Sequence, residues 1–138
     1  MEPVAPRESS VPYQIFVVED HPVMREAYVS LLQSTPGLAL CGTAATAEEV
    51  LDKLDDLECD LIVTDYRLPG LSGADLARKI RAGRPELPVV VISAHEDEAF
   101  VISAREAGAA AVMGKSDLAD TFGPTILEVL SEHLRHAV

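Results

Sequence analysis

The sequence predicts a single α/β domain, a (βα)5 doubly wound parallel sheet with helices on both faces. Three observations predict it. Five short apolar runs recur along the 138 residues, IFVV from Ile15, LALC from Leu38, LIVT from Leu61, VVVIS from Val89 and AAAVM from Ala109, spaced by 20 to 28 residues. Each gap holds one helix and two turns. The runs are unbroken rather than alternating, as in strands covered on both faces, and the segments between them carry helical patterns, the mark of βαβ units.

The helices follow in order. Met24, Ala27, Tyr28, Leu31 and Leu32 fall at i, i+3, i+4, i+7 and i+8, one apolar stripe. Thr46 with Glu49 has the spacing of a capping box ahead of Ala47, Val50, Leu51 and Leu54. Ser72 with Asp75 repeats it ahead of Leu76, Ala77 and Ile80. The fourth helix is predicted from about Asp97 to Ala107, stopped by Gly108. The last is expected to have Pro124 near its start, followed by Leu127, Leu130 and Leu134. The expected division is a loose Pro- and Ser-rich leader over residues 1–13 and one domain over 14–138.

Composition narrows the function. Apolar residues make up 48% of the chain, enough for a packed core, and aromatics only 4%, so that core is built from Val, Ile, Leu and Ala. With 11 basic and 23 acidic residues the net charge is −12, which repels nucleic acid and anionic membranes, so direct contact with either is not expected. The apolar runs are far below the ~20 residues of a membrane span, no signal-peptide pattern opens the chain, and a cytoplasmic location is expected. Cys41 and Cys59 lack disulfide or metal spacing and read as buried, inert thiols beside strands.

In an open α/β sheet, ligands gather at the carboxyl ends of the strands. Here the first strand ends in Glu19-Asp20, the third in Asp65 and the fourth in Ser93, while Lys115 follows the fifth. Three carboxylates on one rim repel each other, a conflict that a hard divalent cation such as Mg²⁺ resolves while leaving positions for a phosphate oxygen. A cation, a fixed ammonium and a hydroxyl donor are what a phosphoryl group needs around it, and an Asp carboxylate is a nucleophile that forms aspartyl phosphates. Alone, each residue reads as a turn or cap residue. Together, on four strand ends, they read as a site. His21 and His95 follow strand ends too and read as solvated loop residues.

The segments VVEDHPVMREAYVSLL, LIVTDYRLPGLSGADLARKIR, VVVISAHED and AREAGAAAVMGKSD resemble the receiver domains of two-component response regulators, in the style of receivers attached to helix-turn-helix output domains. The resemblance runs from about Ile15 to the last helix. It implies the flavodoxin-like strand order 2-1-3-4-5, for which a member of this family is already a named example. It implies phosphorylation at Asp65, with Mg²⁺ held by Asp20, Asp65 and the backbone carbonyl of Arg67, and by Glu19 through water. Ser93 would be the switch hydroxyl and Lys115 the partner of Asp65 or its phosphate. The expected phosphodonor is a sensor histidine kinase or histidine phosphotransfer protein, docking on the first helix around Met24, Ala27 and Tyr28, and a homodimer is possible.

Two positions depart from the family pattern. Val112 stands where an aromatic is common on the fifth strand, and Ser116 where a cis-Pro commonly follows the Lys. A cis peptide before Ser116 would cost ~3 kcal/mol or more, so a trans bond is expected. Such a protein is not an enzyme beyond its own phosphorylation and dephosphorylation. The alternatives are a receiver-fold docking module without phosphorylation and an Asp-nucleophile phosphatase. The latter needs a second acid two residues after the nucleophile, where this chain has Arg67.

Overall fold

The computed structural model describes residues 11–93 and 98–136, the last three of these as backbone. Its strands are β1 (Tyr13–Val18), β2 (Leu38–Ala44), β3 (Leu61–Asp65), β4 (Val89–Ser93) and β5 (Ala111–Gly114), and its helices α1 (Pro22–Gln33), α2 (Ala47–Asp52), α3 (Gly73–Gly83), α4 (Glu98–Glu106) and α5 (Leu118–His136). All strand pairings are parallel, in the predicted order β2-β1-β3-β4-β5. The chain steps outward from β1 to β2, then returns across β1 to build β3, β4 and β5. That reversal opens the crevice between the carboxyl ends of β1 and β3, where Asp20 and Asp65 lie.

The crossover helices divide between the two faces of the sheet. Tyr28 and Leu32 of α1 and Leu118, Phe122, Ile126 and Leu130 of α5 pack with Ile15, Val17, Val63 and Ile92 on one side. On the other, α2, α3 and α4 place Val50, Leu76, Ala77, Ile80 and Ala104 against Phe16, Val18, Ile62 and Val91. Residues of β3 and β4 are buried along their whole length, which is why those strands carry no polar alternation.

Both capping boxes form. Thr46 accepts from the Glu49 amide and Ser72 from the Asp75 amide, and each acid reaches back to the cap residue's own N–H. The backbone amides of Ala45 and Thr46 hold the Glu49 carboxyl below the ordinary carboxylate range, and the Ser72 amide does the same for Asp75. Gly108, at φ +106, follows the end of α4 as predicted, while Asp97 lies outside the described residues.

Three expectations need correction. α5 begins at Leu118, so Pro124 lies inside the helix rather than near its start. Pro124 costs the helix the hydrogen bond to the Asp120 carbonyl and sits on its exposed side, while the stripe Leu118, Phe122, Ile126 keeps the turn helical by packing. α2 is short, and Leu54 falls in a separate 3-10 turn, Leu54–Asp56. Cys41 is exposed and Cys59 partly so. In edge strand β2, Ile15 pairs with Leu40 and Phe16 with Gly42, so Cys41 is the extra residue of a bulge.

The Cys41 thiol accepts a hydrogen bond from Cys59, which pulls Cys41 below its ordinary value and pushes Cys59 up. An alkylating reagent should therefore modify Cys41 about tenfold or more faster than Cys59. Peptide mass mapping over time checks this, and equal rates would contradict an outward-facing bulge.

Candidate functional site

Each sequence-predicted residue sits at the carboxyl edge of the sheet because the strand that carries it ends there. Glu19 follows β1 with its amide donating to the Ala44 carbonyl at 3.0 Å, and its side chain is fully buried. Asp20 stands beside it, partly exposed. Asp65 is the last residue of β3, buried and paired in register with Ile92. Ser93, one residue further along β4, is buried opposite Gly114, and Lys115 opens a 3-10 turn immediately after β5. Arg67 lies exposed in the loop between β3 and α3. Among the described residues no peptide bond is cis, so the Lys115–Ser116 bond is trans as expected. His95 lies outside the described residues.

The centre is Asp65. Its Oδ1 takes Lys115 Nζ at 3.1 Å and the Tyr28 hydroxyl at 3.3 Å. Burial, and then the nearby Glu19 charge, raise its carboxyl above the ordinary value, while Lys115 and the hydrogen bonds work against that rise. The same burial, followed by the Asp65 charge, pushes the Tyr28 phenol up, so it stays protonated and donates to the carboxylate.

The acid pair has unmet capacity. Glu19 Oε1 and Asp20 Oδ1 are buried without a hydrogen-bond partner. Buried carboxylate oxygens left so are costly, and a hard cation with oxygen preference fits that donor set. His21 lies beside the pair. Its Nδ1 lies 3.1 Å from Glu19 Oε2 and 3.3 Å from Asp20 Oδ1, and its amide donates to Glu19 Oε2 at 3.0 Å. The Glu19 hydrogen bond, then the Asp20 charge, raise the His21 pKa. The three residues bring ligand atoms within 4.8 Å of one another. A solvated loop histidine is thus an incomplete description of His21, which is exposed yet paired with both acids.

Behind Asp65 the backbone is tightly packed. The Gly73 amide donates to the Tyr66 carbonyl at 2.8 Å, bringing the start of α3 against the end of β3. On the other side, Tyr66 reaches α4: its ring packs against Phe100 with centroids 4.8 Å apart and planes tilted by 39°, and its hydroxyl donates to Ser103 Oγ at 3.2 Å. The Arg67 guanidinium covers the same Phe100 ring at 5.4 Å.

With this geometry in place, the comparisons decide the family. The model for "Response regulator receiver domain" matches residues 15–121. The chain belongs to this family. The receiver is 32% identical over 102 residues to response regulator GacA of Pseudomonas viridiflava, covering 74% of this chain and 48% of that one. The chain spans about half the length of the GacA proteins it matches. Among solved structures, the receiver superposes on the signal receiver domain of response regulator NarL from Mycobacterium tuberculosis with a TM-score of 0.81 at 28% identity, covering 87% of this chain and 97% of that one. On a LuxR-family two-component response regulator from Aurantimonas it reaches a TM-score of 0.83 at 31% identity, over 88% of this chain and 86% of the other.

Two features of the receiver escaped the sequence. Tyr28 was assigned to the core stripe and to a docking face. It is fully buried, so it offers no docking surface, and its hydroxyl enters the site. The available signal was a phenol in the buried phase of α1, two turns past Asp20, since a buried tyrosine hydroxyl needs a partner. The second is the Tyr66–Phe100–Ser103 contact, which joins segments 37 residues apart at the hydroxyl pair and has no local pattern.

Proposed function

We propose that this receiver, read as residues 14–138, takes a phosphoryl group onto Asp65 and switches the surfaces around it in response. The observation that supports this most is the buried Asp65 carboxylate, ion-paired with Lys115 at 3.1 Å beside an acid pair whose Glu19 Oε1 is buried without a hydrogen-bond partner. Asp20, Asp65 and the Arg67 backbone carbonyl would hold Mg²⁺, with Glu19 acting through water. When bound, the ion neutralises the charge spread over the phosphoryl oxygens.

The chain's own residues do the rest. A carboxylate oxygen of Asp65 attacks phosphorus, and the bond to the donor breaks with its electron pair leaving on the donor. Lys115 follows the charge from the carboxylate to the phosphoryl oxygens, and the Ser93 hydroxyl donates to one of them. The donor is a phosphohistidine of a sensor kinase or phosphotransfer protein in the cytoplasm. Its docking patch includes Val23, 80% exposed in the first turn of α1 next to Asp20, and exposed Ala27. No membrane or nucleic-acid contact is part of this reading, and its chemistry is confined to its own acceptor. Self-association is the further step open to the phosphorylated form.

Incubation with acetyl phosphate and Mg²⁺ tests the reading by intact mass. One phosphoryl group should be gained, and none when Mg²⁺ is chelated. Uptake that ignores Mg²⁺, or none in folded protein, would refute it.

Arg67 bears on the lifetime of that adduct. Its charge, parked on Phe100 two residues past the acceptor, stands near the approach of the hydrolytic water. Arg67→Ala should change the rate of phosphoryl loss by about two- to fivefold, the scale of a cation–π contact. An unchanged half-life by mass spectrometry would discard this role.

A further inference from the structure

We propose that Tyr28 is a positioning residue for the phosphoryl chemistry of Asp65, its buried hydroxyl stabilising the unphosphorylated carboxylate and so hastening loss of the phosphoryl group. The inference rests on Asp65 as the acceptor and adds a group from α1 that the site residues above do not include.

The hydroxyl is placed by packing. Tyr28 is fully buried on α1, and its ring lies on Phe122 of α5, centroids 6.3 Å apart and planes 23° from parallel. Two helices therefore hold the ring, and the phenol cannot turn out to water. Its oxygen reaches Asp65 Oδ1 at 3.3 Å, the same atom that Lys115 Nζ approaches at 3.1 Å. At 3.3 Å the bond is longer than the usual O–H···O bond, so its effect belongs at the lower end of the range for such contacts.

The kinetic consequence follows from where charge sits. A donor gains more from an ionised carboxylate than from the neutral carbonyl of an acyl phosphate. In hydrolysis, a water oxygen attacks phosphorus, the Asp65 oxygen–phosphorus bond breaks, its electron pair returns to the carboxylate, and the water's proton leaves with phosphate and solvent. The charge reappears on Asp65, where Tyr28 meets it. In the forward direction the same hydrogen bond holds back the nucleophile.

Tyr28→Phe removes only the oxygen. Relative to the parent, the variant should take up the phosphoryl group from acetyl phosphate about two- to fivefold faster and lose it about two- to fivefold more slowly, both read by intact mass over time. A group that merely supports packing would move both rates the same way, by loosening the site. A second reading needs no phosphorylation: in chelator-treated buffer, urea unfolding of Tyr28→Phe, Asp65→Ala, which removes the acceptor oxygens, and the double variant should be non-additive. Opposed rate changes with non-additive stabilities uphold the proposal. Parallel or absent rate changes, or additive stabilities, overturn it while leaving Asp65 as the acceptor. Absence of any adduct on parent and variant alike overturns the acceptor reading itself, and this proposal with it.

Discussion

Asp65→Asn is expected to reduce phosphoryl uptake from acetyl phosphate by more than about a thousandfold, the scale at which covalent catalysis fails when its nucleophile is removed. The amide keeps the shape of the carboxylate and a hydrogen-bond acceptor for Tyr28 and Lys115, so the fold should survive. It should even gain. Burial and the Glu19 charge raise the Asp65 carboxyl, and an acid raised in the folded state opposes folding at every pH above its unfolded value. That penalty, which grows as pH rises through the raised titration and is relieved as pH falls, is absent from the amide. The expected pair of results is therefore an inert protein that unfolds at higher urea than its metal-free parent. An Asn variant that still gains one phosphoryl group by intact mass would move the acceptor elsewhere. One that is less stable than the parent would mean that the Lys115 pair outweighs the burial of the charge.

Gly73→Ala should produce the largest loss of stability of any single methyl addition to this sheet edge. A Cβ at position 73 would lie 2.2 Å from the Asp65 carbonyl oxygen, 3.0 Å from its carbon and 3.1 Å from Tyr66 Cα. All three are backbone atoms of a strand end fixed in the middle of the sheet, so no side chain can rotate away. The helix must retreat instead, against the burial of Leu76, Ala77 and Ile80 and its own capping box. Overpacking of this kind costs about 2–3 kcal/mol, or roughly 10 °C of melting temperature for a domain of this size. Gly83→Ala is the control, because there the added Cβ meets only Leu54 Cδ2 at an ordinary 3.6 Å. Calorimetry should show the first variant melting well below the second. Equal melting temperatures would mean that α3 does not press on the acceptor strand.

The readable parts of this fold are those where one physical demand dominates. β1, β3 and β4 are covered on both faces, so their runs could be nothing but apolar, and the two helices with capping boxes announce their starts within four residues. Ser93, Asp65 and the acid pair stand out because the end of a buried strand is where polar residues first become affordable. What escaped depends on geometry with no short-range trace. The bulge that turns Cys41 outward is a matter of register between two strands. The first turn of α5 was masked by the usual preference for proline at helix starts, which pointed to Pro124 while Leu118 and Phe122 already followed the stripe. Tyr28 was legible as core and illegible as a donor, since the same helical phase that buries its ring aims its oxygen at a residue 37 positions away.

The contact of Tyr66 and Arg67 with Phe100 and Ser103 binds α4 to the two residues that follow Asp65. Thermodynamic linkage makes such a contact reciprocal. If phosphorylation shifts α4 through Tyr66, any molecule that prefers one position of α4 must change the phosphorylation equilibrium by the same factor. A partner gripping that helix would then be a regulator of the adduct's population as much as a reader of it, and the concentration of phosphorylated receiver would depend on how much partner is present.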